Sequence, residues 1–319
     1  MPRSLRTALV AVLSLAGLAL PAGAQAAAGS PAPFQPIIDM HRHTPWPGES
    51  DAEGVALIRD ELGPHNVVAA VLFITGREDL ESYRSDETVR FVLSPMLPCP
   101  ALTAERKWCF TESGGPLPDA AWVDAQLAAG TLGGIGELVF NYAAMAPVDA
   151  TMAAFWDMAA RRDVPAFVHT GKGPGPGLGP RRHAGCCPDY REDFGNPELL
   201  RPILDAHPNV RVSLQHAGFD YMDETLALLR DFPNVYLDMS VLNSVGPAEL
   251  HTASLRRIVE AGFADRIMLG SDDQDLAAVV ARVEAAEFLT PEQQRGIYYD
   301  NAARFLRLDA ATIERDYRR

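Results

Sequence analysis

The chain has 319 residues, of which 47% are hydrophobic and 22% charged, a balance that excludes a disordered or collagen-like polymer. Its formal net charge is −14 and no basic run exceeds two residues, so the sequence argues against a nucleic-acid ligand. The length is enough for one large domain with a full core.

The first 26 residues read as a secretory signal peptide. Arg3 and Arg6 form a short basic region, and Ala8 to Leu20 is apolar and uncharged. Ala22-Gly23-Ala24 and Ala24-Gln25-Ala26 both offer small-x-small cleavage sites. The apolar run is short for a membrane span. There is no Arg-Arg pair for a twin-arginine signal and no Cys for a lipid anchor. No later segment is apolar enough to span a bilayer, so no membrane association is expected. The expectation is a soluble, exported protein, and the richness in Ala, Arg and Pro suggests a bacterial periplasmic or secreted one. Without Arg3 and Arg6, 26 basic residues face 42 acidic ones, a net charge of −16. Residues 27–35 form a Pro/Ala/Gly linker, and residues 36–319 form one domain.

Within that domain, short apolar runs alternate with amphipathic stretches. The runs are Pro36–His41, Asn66–Ile74, Phe91–Met96, Gly133–Val139, Val164–His169, Val210–Gln215, Val235–Met239 and Arg266–Leu269. Each predicts a strand buried on both faces. Helical spacing is present in Asp51–Leu62, Asp119–Ala129, Asp149–Arg162, Pro197–Ala206, Asp223–Arg230, Pro247–Ala261, Gln274–Glu287 and Pro291–Leu306. Asp119, Asp149 and Asp223 suit N-caps, and Pro197 and Pro247 suit first turns. Eight strands alternating with helices predict a parallel sheet, and the count favours a closed (β/α)8 TIM barrel over an open doubly wound sheet. No G-x-G-x-x-G follows the first strand, which weakens a dinucleotide fold. The connection Leu97–Pro118 is irregular and carries Cys99 and Cys109, for which a local bridge is plausible. Cys186 and Cys187 are adjacent and either bridge each other or stay reduced; sequence cannot choose among the pairings.

In such a barrel the chemistry sits at the C-terminal ends of the strands. His41 and His43 end the first strand, Glu137 lies near the end of the fourth, His169 ends the fifth, His216 the sixth and Asp272 the eighth. Residues two apart on an extended segment point the same way, so both imidazoles of His41-Arg42-His43 can turn inward. Imidazoles and carboxylates converging on one point suit Zn2+ or another divalent cation, which would activate a water. Asp272 is the candidate to take and return the proton. Asp272 or Asp273 can alternatively cap the last helix. His65, His183, His207 and His251 fall in helical or loop contexts and are expected not to be ligands. The Gly/Pro-rich loop Gly171–Arg182 follows the fifth strand, where Lys172, Arg181 and Arg182 are candidate binders of a substrate carboxylate.

The segments Ile38-Asp39-Met40-His41-Arg42-His43, Gly134-Ile135-Gly136-Glu137, Phe167-Val168-His169, Gln215-His216-Ala217-Gly218, Leu269-Gly270-Ser271-Asp272 and Asn301-Ala302-Ala303-Arg304-Phe305-Leu306 resemble the amidohydrolase superfamily. They are most similar to the amidohydrolase-related branch that contains aminocarboxymuconate-semialdehyde decarboxylase. The resemblance implies that His41, His43 and His169 are metal ligands, that His216 is a ligand or polarises a substrate carbonyl, and that Asp272 is a ligand and proton shuttle. Glu137 stands where some members place a bridging carboxylate. Leu132–Tyr142 contains no lysine, and Lys172 lies beyond the fifth strand, so a carbamylated-lysine bridge is not expected. One ion per chain is the first expectation, with a Glu137-bridged pair, as in TatD-like DNases, as the alternative. The implied activity is hydrolysis of an amide, ester or lactone of a small molecule. The alternatives are non-oxidative decarboxylation of an unsaturated or aromatic acid, or a non-catalytic ligand-binding barrel. Self-association into a homo-oligomer is compatible with the sequence.

Overall fold

The structure is a computed structural model that describes residues 35–44, 51–76, 80–83, 88–99, 115–173, 186–242 and 247–319. Eight parallel strands appear where the apolar runs predict them: β1 (Ile37–His43), β2 (Val67–Ile74), β3 (Arg90–Pro95), β4 (Ile135–Leu138), β5 (Ala166–His169), β6 (Val212–Gln215), β7 (Val235–Asp238) and β8 (Ile267–Met268). They pair in sequence order as β1-β2-β3 and β4-β5-β6-β7-β8. The two groups meet through short seams. Between β3 and β4, Leu97 N donates to Glu137 O and Val139 N to Leu97 O, both at 2.9 Å. Between β8 and β1, Met40 N donates to Leu269 O at 2.9 Å and Asp272 N to His41 O at 2.7 Å. The fold is a (β/α)8 TIM barrel.

Parallel neighbours require crossovers, and helices follow the strands, although none is described between β2 and β3. They are α1 (Asp51–Leu62), α2 (Ala120–Ala128), α3 (Phe140–Ala143), α4 (Ala153–Arg162), α5 (Arg201–Ala206), α6 (Met222–Asp231), α7 (Ala248–Glu260) and α8 (Leu276–Glu284). The period-2 alternation of each strand divides its side chains between two cores. On β2, Ala70, Leu72 and Ile74 pack with the helices, beside Leu62, Trp156 and Leu255. Ala69, Val71 and Phe73 face the interior with Ile38, Met40, Phe167 and Phe305. On β6 the same alternation sends Val212 and Leu214 outward, and leaves the buried Ser213 and Gln215 outside both apolar cores.

Most helix starts follow the sequence. Asp119 and Asp149 accept from the backbone N–H two residues on, and Pro197 stands in the first turn of the short 3-10 helix that leads into α5. Three expectations are corrected. Asp223 is not a cap, because α6 begins at Met222, after the left-handed turn at Ala217–Gly218, and Asp223 lies inside its first turn. Pro247 precedes α7 rather than entering its first turn. Neither Asp272 nor Asp273 caps α8; Asp275 does, accepting from Ala277 N. The tail Pro291–Leu306 is not one helix. It divides into α9 (Pro291–Arg295), a π turn over Gly296–Asp300 and α10 (Asn301–Leu306), followed by α11 (Ala310–Tyr317), which the sequence did not suggest. The buried Asp316 of α11 accepts a bidentate pair from Arg90 at 2.6 Å and a bond from Tyr299 at 2.8 Å. Among the described residues, no helix is long and apolar enough to cross a membrane.

Candidate metal centre

Residues from five strand ends, β1, β4, β5, β6 and β8, bring the predicted cluster together. On β1 the means differs from simple two-residue spacing. Ile38 pairs with Ala69 and His43 with Phe73, both inward positions, and a register shift lies between Asp39 and Arg42. This bulge adds one residue to the strand and resets its alternation. His41 and His43 therefore both reach the interior, with ring centroids 5.4 Å apart, and both abut Phe73. Arg42 turns outward between them and pairs with Glu61 of α1 at 2.7 Å. Asp39 is buried beneath and ties β1 to β8, accepting from Ser271 N at 2.9 Å and Ser271 Oγ at 2.6 Å. Burial pushes its carboxyl above the usual range, against the pull of Arg42 and Ser271.

Glu137 lies at the centre. Its Oε2 is 2.9 Å from His43 Nε2 and its Oε1 is 2.8 Å from His169 Nδ1. The same Oε1 lies 3.8 Å from His41 Nε2 and 3.9 Å from His216 Nε2. His216 Nε2 is in turn 3.1 Å from His169 Nδ1. Asp272 Oδ1 completes the ring, 3.4 Å from His41 Nε2 and 3.6 Å from His43 Nδ1. The site therefore contains every metal-site residue expected from the sequence: His41, His43, Glu137, His169, His216 and Asp272. Asp272 and His43 keep side chains about one-fifth exposed, whereas Glu137 and His41 are closed to solvent.

Sequence reasoning missed a layer of polar residues around this ring. Asp238, at the end of β7, is fully buried, with Oδ2 3.4 Å from His41 Nδ1. Ser240 Oγ stands 3.1 Å from His41 Nδ1 and 2.9 Å from His216 Nδ1. Gln215 lies beside His41, and Asp273 Oδ2 accepts from His43 Nδ1 at 2.8 Å. Asp238 satisfies the same strand-end criterion as Asp272 and could have been found by it. Lys172 is exposed and contributes only backbone contacts, to Asp220 and to the Tyr190 hydroxyl. Arg181, Arg182 and His183 lie outside the described residues. His65 and His207 stand apart from the cluster, and His251 is buried on α7. Cys186 and Cys187 are bridged to each other, and Cys99 is also disulfide-bonded.

The electrostatics point to a site built for a cation. Burial alone would neutralise His41, yet Asp272, Asp238 and Glu137 outweigh it and lift the imidazole to about 9. His43 is raised well above its usual value against the same burial, chiefly by Asp273 and then Glu137. Burial opposes the charged form of Glu137 too, but hydrogen bonds from His169 and His43 hold it well below the usual carboxylate range. His216 moves the other way, to about 4, because it is buried beside His169 and His41. Buried carboxylates that force protons onto imidazoles would be balanced equally by a divalent ion displacing those protons. His169 Nε2 is buried with no hydrogen-bond partner among the described residues. Nitrogen and carboxylate donors in this mixture suit Zn2+, Mn2+ or Fe2+. The residues present thus fit a metal.

The backbone at the rim is strained in a way that accompanies function. His216, Ala217, Phe219, Val241, Asp272 and Asp273 all have positive φ without being glycine, at a cost of roughly 1–3 kcal/mol each. Gly270 is required by close approach: a Cβ there would sit 3.0 Å from His41 Cβ and 3.1 Å from Asp238 Cγ.

A parallel barrel with histidines and acids gathered at its C-terminal mouth defines an α/β barrel with a candidate metal site. The amidohydrolase family model matches residues 84–308, and the chain belongs to this metal-dependent enzyme superfamily. No curated protein matches it in sequence. Solved structures with the same fold include an uncharacterized TIM-barrel protein from Bordetella bronchiseptica, at 16% identity and TM-score 0.58, covering 89% of this chain and 100% of that one. A probable 2-pyrone-4,6-dicarboxylic acid hydrolase from Acinetobacter baumannii, with citric acid bound, gives 13% identity and TM-score 0.57, covering 85% and 99%. A dihydroxybenzoic acid decarboxylase from Polaromonas sp. JS666, with manganese and 2-nitroresorcinol bound, gives 15% identity and TM-score 0.56, covering 88% and 99%.

Proposed function

We propose that the protein is an exported metal-dependent hydrolase that cleaves an amide, ester or lactone bond of a small molecule. The observation that carries this reading is the position of Asp272: it touches His41 and His43 and, with His43, remains part-exposed at the mouth of a ring whose other members are buried. His41, His43, His169, Glu137 and Asp272 would hold one divalent ion, Zn2+ by preference. When bound, such an ion supplies a Lewis acid and a low-pKa water. Asp272 takes the proton of the attacking water and returns it to the leaving oxygen or nitrogen, so the bond is cleaved with one water consumed. In the metal-free chain Glu137 holds His43 and His169 in place by charge-assisted hydrogen bonds, which an ion would replace. His216 either completes the ligand set or donates to the substrate carbonyl. Lys172, with Arg181 and Arg182, would receive a substrate carboxylate. The signal-like residues 1–26 support action in the periplasm or outside the cell, and the acidic chain supports a small-molecule rather than a nucleic-acid substrate.

Glu137 offers one observation in favour of a second ion, since its two oxygens face different histidines. Elemental analysis of the purified protein decides the number. The function is tested by screening Zn2+-loaded protein against esters, lactones and amides, with CO2 release from aromatic acids followed in parallel. Asp272→Asn is expected to lower turnover by roughly 10²–10⁴-fold with zinc retained. A chain that takes up no divalent ion refutes the proposal, as does an Asp272→Asn variant with wild-type turnover. CO2 release without hydrolysis would make the enzyme a decarboxylase on the same ligands.

A further inference from the structure

We infer that Ser240, anchored by Asp238, is a positioning residue that fixes the tautomers of His41 and His216 together, so that both present a free Nε2 lone pair to the metal. The inference rests on the metal-site reading above and adds to it the residues that orient the ligands.

Asp238 is fully buried at the end of β7. Its Oδ1 accepts from Ser240 N at 2.9 Å, from His216 N at 3.2 Å and from the Ser240 hydroxyl. A hydroxyl carries one proton. With that proton committed to Asp238, Ser240 Oγ can only accept from other groups. Two ring nitrogens lie within its reach, His216 Nδ1 at 2.9 Å and His41 Nδ1 at 3.1 Å. Both must therefore be N–H donors.

Two further acceptors agree, Asp238 Oδ2 and the Ser240 carbonyl. His41 Nδ1 also faces Asp238 Oδ2, an obligate acceptor, at 3.4 Å. The Gln215 amide nitrogen stands 3.1 Å from His41 Nδ1 and 3.4 Å from His41 Nε2, while its oxygen is buried with no hydrogen-bond partner among the described residues. A half-turn of the amide exchanges its nitrogen and oxygen, so this contact is compatible with either tautomer of His41. His216 Nδ1 is likewise 3.3 Å from the backbone carbonyl of Ser240, which can only accept. With both Nδ1 atoms protonated, the lone pairs lie on Nε2. Those are the atoms that face the ring: His41 Nε2 toward Asp272 and Glu137, His216 Nε2 toward His169 and Glu137. A neutral imidazole with its lone pair turned inward can bind a metal and cannot donate to a carbonyl. This assigns His216 to the metal rather than to the substrate.

Outer residues of this kind govern metal affinity by about 10–100-fold. The test uses the full chain labelled with 15N in its histidine rings and loaded with Zn2+ alone. Long-range 1H–15N correlation spectra are expected to show His41 and His216 bound through Nε2 with Nδ1 protonated, each assigned by its substitution. Ser240→Ala should weaken Zn2+ binding by about 10-fold or more in chelator competition, and Ser240→Thr, which keeps the hydroxyl, should restore it. Asp238→Asn gives a second test that preserves shape. Its oxygen keeps the three donors at Oδ1, and its NH2 then faces His41 Nδ1 as a rival donor, which should disturb the His41 ring and lower affinity comparably. Zn2+ bound through Nδ1 of either histidine overturns the inference and leaves the metal-site reading intact. So does wild-type affinity in both Ser240→Ala and Asp238→Asn. A wild-type chain that binds no Zn2+ overturns both.

Discussion

Stripping the metal should give the protein a stability profile that falls on both sides of neutral pH, with the two sides assigned to different histidines. His41 has its proton affinity raised in the folded chain from 6.5 to about 9. Between those values the folded state holds a proton that the unfolded state has released, so stability declines as pH rises. Each unit contributes about 1.4 kcal/mol, and the whole window about 3 kcal/mol. His43 is raised in the same direction and steepens this limb. His216 is lowered from 6.5 to about 4, so below 6.5 the unfolded chain takes up a proton that the folded chain refuses. Stability is then lost as pH falls, again by about 3 kcal/mol down to pH 4. Glu137, held low by His169 and His43, adds to the acid loss. Urea unfolding of EDTA-treated protein at intervals from pH 4 to 9 measures both limbs. His41→Gln should remove about one proton from the alkaline slope, and saturating Zn2+ should flatten it by occupying the imidazoles. A urea midpoint that stays constant between pH 6.5 and 9 in metal-free protein would refute the argument, because three carboxylates around His41 could not then be holding its proton.

Further outcomes follow from single contacts. Glu137→Gln removes the charge that holds His43 and His169 at 2.9 and 2.8 Å, and should lower bound zinc at least tenfold, read by elemental analysis after dialysis. Gly270→Ala places a methyl 3.0 Å from His41 Cβ, and should cost about 1–3 kcal/mol in urea unfolding together with a loss of Zn2+ affinity. Arg90→Ala leaves the buried Asp316 with Tyr299 but no counter-charge. It should cost about 3 kcal/mol, seen as an earlier urea midpoint, while zinc stoichiometry stays at the wild-type value.

The strands and the six-residue cluster were legible because a barrel strand is buried on both faces, so an apolar run followed by a histidine or acid marks a strand and its functional end. His169, His216 and Asp272 were found this way. Asp238 escaped because it falls inside the run Val235–Met239, where an acid reads as the end of a strand and nothing more. Ser240 and Gln215 carry no signal at all, since a serine or glutamine gains its meaning only from the imidazole that a distant strand places against it. The β1 bulge was equally hidden: it depends on pairing with β2, and its effect is to reset an alternation that the spacing of His41 and His43 seemed to settle unaided. Asp223 misled as a cap because the left-handed residues after His216, which set where α6 begins, follow from packing at the site.

The seam between the first and last strands has a consequence for the order of events in the life of the chain. His43 and Asp273, which hydrogen-bond across it, are 230 residues apart in sequence. Closing a loop of that length costs about 5 kcal/mol of chain entropy before any contact is recovered. A polypeptide still being synthesised therefore carries His41 and His43 before Asp272 and Asp273, which complete their surroundings, have been added. An ion held by this ring would be captured only after the final strand is in place, from whichever divalent ions surround the chain at that moment.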